Sequence, residues 1–188
     1  MTARVGLVLA AGSGRRYGGP KALVESGGET WVERTVRSLA DGGCGPVLVA
    51  VGAQADAVTA VLPPGVVPVE VPDHLTGMGA SLRAGLSRAA GLGALQVVVT
   101  LVDLPDVGVD VVRRLLAAAD PQDTDVLARA AYDGRPGHPV LIGRRHLAPI
   151  QELAQGDEGG RAYFGRHAVT LVECGDLATG HDVDRPPA

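Results

Sequence analysis

Apolar positions along the chain come in short continuous runs, separated by stretches with apolar residues three and four apart. Residues 5–10 (VGLVLA), 46–51 (PVLVAV) and 95–102 (LQVVVTLV) are uninterrupted. Such runs mark strands buried on both faces, as in a parallel sheet. Residues 66–71, 126–130, 138–142 and 168–173 are shorter strand candidates, the first interrupted by Pro68. Between them lie helical patterns. Val32, Val36 and Leu39 space a helix over residues 29–39, stopped by the DGGCG that follows. Residues 53–62 read as a helix ended by Pro63 and Pro64, and residues 81–90 carry Leu82 and Leu86 at i, i+4. Residues 109–119 and 144–153 complete the helices. Strands alternating with helices predict a single-domain α/β chain over residues 1–188: a Rossmann-like three-layer fold around a mainly parallel sheet. The polar tail from residue 175 ends in RPPA, and its last residues are candidates for disorder.

Composition narrows the picture. The 188 residues suffice for one domain with a substantial core. Aromatic residues make up only 3%, so that core is built from Val, Leu and Ala. The net charge of −4 argues against a general nucleic-acid binder. Cys44 and Cys174 stand far apart and outside metal-ligand spacing, which reads as two ordinary thiols. No apolar stretch approaches the ~20 residues that span a bilayer, and no secretory pattern opens the chain. These features predict a cytoplasmic protein with neither membrane nor nucleic-acid partners.

Against that acidic background, the first strand runs directly into a basic, glycine-rich loop, AGSGRRYGGPK, residues 11–21. Ligands of open α/β sheets bind beyond the carboxyl ends of the strands, and this loop lies there. Glycines allow backbone N–H groups to approach phosphate oxygens, and Arg15, Arg16 and Lys21 supply cationic partners. Two familiar phosphate loops fail. Pro20 occupies the lysine position of a Walker A motif, and Tyr17 the third glycine of the dinucleotide fingerprint, whose ribose-binding acid is also missing from VAVGAQ.

LAAGSGRRYGGPKAL resembles the L-A-A-G-x-x-x-R-x-G-x-x-K signature of the MobA-like nucleotidyltransferases, with Gly12, Arg16, Gly18 and Lys21 in register. The resemblance implies a Rossmann-like fold and a loop wrapped around a nucleoside triphosphate. Arg16 and Lys21 would contact the phosphates as catalytic groups, and Leu9, Ala10, Ala11, Gly12, Ser13 and Gly14 would line the nucleotide. Ala11 gives LAAG, the form of the cytidylyl-transferring branch, against LAGG in the guanylyl-transferring one, and so implies CTP.

Nucleotidyl transfer calls for a divalent cation, here Mg²⁺, held by carboxylates. Asp103 follows the apolar run TLV, at the mouth of the 95–102 strand, in a D-x-P that resembles the family's metal-binding one; a helix cap is its structural alternative, open equally to Asp106. GHDVDRP resembles a D-I-D-T-P segment, which implies Asp182 and especially Asp184 as the second metal-binding acid, although Arg185 replaces the threonine. The alternative is a charged tail. DHLTGMGASLRAGL resembles a nucleotide-approaching segment, implying Gly79 and Ser81, with Arg83, near the ligand. RPGHPVLI and QGDEGGR resemble second-substrate segments and imply His138, Asp157 and Arg161 there; His138 alternatively serves a backbone carbonyl. The implied reaction is attack by a phosphate-bearing acceptor such as molybdopterin cofactor on the α-phosphorus, releasing pyrophosphate, with a molybdoenzyme as eventual recipient. Two rivals stay open: an NAD(P)H-dependent oxidoreductase of the nicotine blue type, and a non-catalytic cofactor carrier.

Overall fold

The computed structural model describes residues 4–185; the ends of the 1–188 domain and the last residues expected to be disordered lie outside them. The chain runs through β1 (Arg4–Leu9), a 3₁₀ turn at Lys21–Leu23, β2 (Glu25–Ser26), β3 (Glu29–Thr30), α1 (Trp31–Gly42) and β4 (Val47–Val51). It continues through α2 (Ala55–Ala60), β5 (Val67–Glu70), α3 (Met78–Gly91), β6 (Gln96–Leu101) and α4 (Val109–Ala117). The last third holds β7 (Leu127–Tyr132), β8 (Arg135–Gly143), α5 (Arg144–Leu153), α6 (Arg161–Phe164) and β9 (Thr170–Glu173).

Seven strands form one sheet in the order β5-β4-β1-β6-β8-β7-β9. All seven expected strands are in it, and β8 alone runs antiparallel to its neighbours β6 and β7. Side chains of β1 alternate between two cores. Val5, Leu7 and Leu9 pack with α3 and α5 on one face. Val8 and Ala10 pack with α1 and α4 on the other. Helices on both faces make the three layers, and α3 lies so close to β1 that a side chain at Gly85 would overlap Leu7.

The differences from expectation are local. Residues 29 and 30 pair with β2 rather than starting the helix, because Thr30 caps α1. Its hydroxyl accepts from the Glu33 N–H, and Glu33 returns a carboxylate to the Thr30 N–H at 2.7 Å. Gly43, at φ 112°, ends α1 where DGGCG suggested. Strand β8 starts three residues before residue 138, as the second arm of a hairpin turning at Asp133 and Gly134.

Order reverses between β1 and β6. From β1 the chain winds outward to β4 and β5, then returns to pair β6 on the other side of β1. The loop after β1 and the turn after β6 therefore diverge from adjacent strands and leave a crevice between them.

Candidate active site

The crevice is a cleft of about 540 Å³. Its floor is Leu9, Ala10 and Ala11, continuing β1. One wall is the loop from Gly12 to Arg16 with Lys21, and another is Met78 and Ser81 of α3 with His74, Leu75 and Gly77 before it. Asp103, Asp157 and Asp184 close it.

The loop folds on itself at Gly14. The Gly14 carbonyl accepts from the N–H groups of Tyr17, Gly18 and Gly19 at 2.9, 3.0 and 3.2 Å. Gly14 has φ 57°, and a Cβ there would overlap the Gly19 carbonyl oxygen, so the turn requires glycine. Tyr17 anchors the turn to the core, edge-on against Trp31 with centroids 5.4 Å apart. Lys21 then opens the short 3₁₀ turn whose Ala22 is buried, which returns the lysine side chain to the cleft.

Lys21 meets two acids from distant parts of the sequence. Its Nζ donates to Asp103 Oδ2 at 2.7 Å and to Asp184 Oδ1 at 2.8 Å. The side chains of Lys21 and Asp103 are only 14% and 16% exposed, which strengthens charge pairing. Burial pulls the Lys21 ammonium down, but the hydrogen bonds and charges of Asp103 and Asp184 outweigh it and hold its pKa above the ordinary value. The Lys21 hydrogen bond holds the Asp184 carboxyl below its own. Arg16 Nη1 stands 3.7 Å from Asp184 Oδ2, largely in solvent.

Asp103 is not a helix cap, since Gly108 occupies that position of α4. Asp106 is not one either. Its Oδ2 accepts from the N–H and hydroxyl of Thr179, both at 2.6 Å. Four residues on, the Val183 N–H donates to the Asp103 carbonyl at 3.0 Å. These two ties bring residues 179–185 over the crevice and set Asp182 and Asp184 beside Asp103. Carboxylate oxygens of the three lie within 4.8 Å of one another. Asp103 Oδ1 is buried with no hydrogen-bond partner among the described residues. An unpaired buried carboxylate oxygen among convergent acids fits a hard cation that takes oxygen ligands.

The other expected site residues divide. Gly12, Ser13, Ser81 and Asp157 line the cleft. Gly79 does not: it is buried under Ala154, where a side chain would press on the backbone. Arg83 is a strut, donating to Asp73 at 3.0 Å and to the Ala154 carbonyl. Arg161 is exposed on α6, outside the cleft. His138 lies on β8, two residues past the last registered pair of β6 and β8, Val99 and Val140, and so flanks the carboxyl end of β6. Tyr132 donates its hydroxyl to the His138 carbonyl at 2.6 Å, and Arg129 Nε donates to the Gly137 carbonyl at 3.0 Å. Burial, helped by Arg129, lowers the His138 pKa to about 4, so the ring is neutral. Sequence reasoning missed His74, Leu75 and Met78. No sequence signal marks them; in the structure Leu75 and Met78 stand out as apolar side chains 71% and 41% exposed at the cleft rim.

Comparisons with known proteins agree with this geometry. Residues 6–171 match the MobA-like NTP transferase domain. The nicotine blue oxidoreductase of Paenarthrobacter nicotinovorans is 37% identical over 188 residues, 95% of this chain and 91% of its own. The molybdenum cofactor guanylyltransferase of Rhodobacter capsulatus is 40% identical over 169 residues, 88% of this chain and 82% of its own. Among solved structures, Rv0371c of Mycobacterium tuberculosis in complex with manganese superposes with a TM-score of 0.72 at 28% identity, covering 92% of this chain and 88% of that one. With a domain match over nearly its whole length, a sheet reversing at the same place as the glycine-rich loop, and relatives that include a guanylyltransferase, the chain belongs to the MobA-like NTP transferases and is a nucleotidyltransferase.

Proposed function

We propose that the chain transfers CMP from CTP to a phosphate-bearing acceptor of the molybdopterin type, releases pyrophosphate, and uses Mg²⁺ held by Asp103 and Asp184. The observation that carries this reading is the meeting of Lys21, Asp103 and Asp184 at the reversal of the sheet, beside a loop closed on Gly14. The manganese complex of Rv0371c supports a divalent cation, and the guanylyltransferase relative supports a molybdenum cofactor acceptor. The choice of CTP rests on Ala11 in the LAAG segment. GTP, the nucleotide implied by the name of that relative, is its competitor.

The acceptor's phosphate oxygen is already ionised at neutral pH, so it attacks the α-phosphorus without a protein base. The bond from the α-phosphorus to the bridging oxygen breaks, and pyrophosphate carries away the electron pair. The residues' work is to position and to neutralise charge. Residues 12–14 bring backbone close to the phosphates. Arg16 and Lys21 neutralise the charge that grows on the departing pyrophosphate. Asp103 and Asp184 hold the metal, which when bound supplies further charge stabilisation at the phosphate oxygens. Asp157, across the cleft, faces the acceptor side, and neutral His138 extends that side along the end of β6, while Arg161, expected there, stands outside the cleft on α6. A molybdoenzyme would receive the product.

A second reading, an NAD(P)H-dependent oxidoreductase, is favoured by the 37% identity to the nicotine blue enzyme; the missing third glycine at Tyr17 weighs against it. A carrier without catalysis is the third. Calorimetric titration with CTP, GTP and NADPH, each with and without Mg²⁺, separates them, followed by pyrophosphate release with molybdopterin cofactor. Mg²⁺-dependent CTP binding with pyrophosphate release is expected. NADPH binding without triphosphate binding overturns the transferase reading, and nucleotide binding without turnover leaves the carrier.

A further inference from the structure

Lys21 Nζ occupies the space between the two carboxylates that would hold the metal. It sits 2.7 Å from Asp103 Oδ2 and 2.8 Å from Asp184 Oδ1. A Mg²⁺ ion joining those oxygens would stand about 2.0–2.1 Å from each. An ammonium and a divalent ion drawn to the same two oxygens would crowd and repel each other beside an Asp103 side chain only 16% exposed. Arg16 does not compete in the same way, since it reaches only Asp184, at 3.7 Å and from solvent. Asp103 Oδ1, buried and without a partner among the described residues, remains as an additional ligand once the ion arrives.

We infer that Lys21 is an internal stand-in for the metal and imposes an order on binding; this rests on the metal reading above. In the free protein its ammonium offsets one of the two negative charges of Asp103 and Asp184 and holds a lone divalent ion to weak binding. The ion enters with the triphosphate, because the phosphates offer the displaced lysine a new set of anionic oxygens. The flexible four-carbon stem of lysine permits that transfer within one side chain's reach. One residue would thus serve two sites in turn, carboxylates first and phosphates second. Metal and nucleotide then bind with positive coupling, which by linkage is reciprocal. A free divalent ion on its own would bind poorly, although the acids converge.

The test is Mn²⁺ binding to the full-length protein without nucleotide, followed by electron paramagnetic resonance of the free ion and by thermal shift. Lys21→Met removes the charge at similar length, Lys21→Arg keeps it, and Asp103→Asn removes a ligand. Lys21→Met should bind Mn²⁺ roughly ten- to a hundredfold more tightly than the wild type, the worth of one charged hydrogen bond no longer broken, that to Asp103; the exposed one to Asp184 adds little. Its thermal shift with Mn²⁺ should be correspondingly larger, while Lys21→Arg stays weak. Lys21→Gln repeats the comparison if Lys21→Met does not fold. Equal Mn²⁺ affinity in wild type and Lys21→Met, lost in Asp103→Asn, overturns the stand-in role while sparing the metal site. Absence of Mn²⁺ binding in every variant, with or without CTP, overturns the metal reading itself and the stand-in role with it.

Discussion

Acid should destabilise this protein well above the range in which its carboxylates titrate, and His138 is the reason. Burial, with Arg129 adding to it, takes the imidazole from an ordinary 6.5 to about 4. A basic group lowered in the folded state leaves stability untouched above pH 6.5. Between 6.5 and 4 the unfolded chain takes up the proton first, so stability falls as pH falls. Below 4 both states are protonated and the loss stops growing. Each pH unit is worth about 1.36 kcal/mol per proton, so the full loss is about 3 kcal/mol, and between pH 7.5 and 5.0 it is about 2 kcal/mol. Urea unfolding of the wild type and His138→Gln at both pH values isolates this contribution. Whatever glutamine costs in itself is common to both conditions, and carboxylate effects cancel between the proteins. The wild type should lose about 2 kcal/mol more than the variant, or about 4–8 °C in melting temperature for a domain of this size. Parallel losses in the two proteins would mean that His138 is hydrated enough to titrate normally, and its place as a neutral group beside β6 would fall.

Three further outcomes are expected. Arg16→Ala should leave unfolding stability within about 0.5 kcal/mol, because its pairing with Asp184 is long and exposed, yet weaken triphosphate binding about tenfold; calorimetry and urea unfolding check the two halves, and a stable variant with full affinity would return Arg16 to solvent. Asp103→Ala should lower the turnover of nucleotidyl transfer on the order of 10²–10³-fold while leaving the circular dichroism spectrum unchanged, and full Mg²⁺-dependent activity would refute its role. Gly77→Ala should destabilise by about 2–4 kcal/mol, since Gly77 has φ 117° and a side chain there would overlap the Gly156 backbone; a melting temperature equal to the wild type would show that this wall of the cleft yields.

The sheet was legible because its strands announce themselves twice, by continuous apolar runs and by the turns between them. Residues 5–10 and 95–102 needed no context. The direction of β8 did not show, because an antiparallel strand buried on both faces carries the same apolar run as a parallel one; only the tight turn at Asp133 and Gly134 distinguishes it. That the glycine-rich loop, Lys21 and Asp103 belong to one cleft at the carboxyl ends of the strands was legible from residue types and position. The role of the final segment was not. Nothing in GHDVDRP shows that Thr179 reaches Asp106 or that the Val183 amide finds the Asp103 carbonyl, since these contacts cross more than seventy residues. Arg83 was misjudged for a related reason: an exposed helical arginine beside a ligand segment looks the same whether it faces substrate or braces Asp73 and Ala154.

The single hydrogen bond from the Val183 amide to the Asp103 carbonyl separates two events that catalysis needs together. The seven-stranded sheet is complete at Glu173, so the strap carrying Asp182 and Asp184 can lift away without breaking a strand. Local opening of that kind has its own free energy, smaller than that of global unfolding. The Val183 amide is therefore a clock for assembly of the site. Its hydrogen exchange reports how often the second carboxylate is absent, while amides of β1 and β6 report the lifetime of the fold. A ligand that uses Asp184 will slow the first clock long before it moves the second.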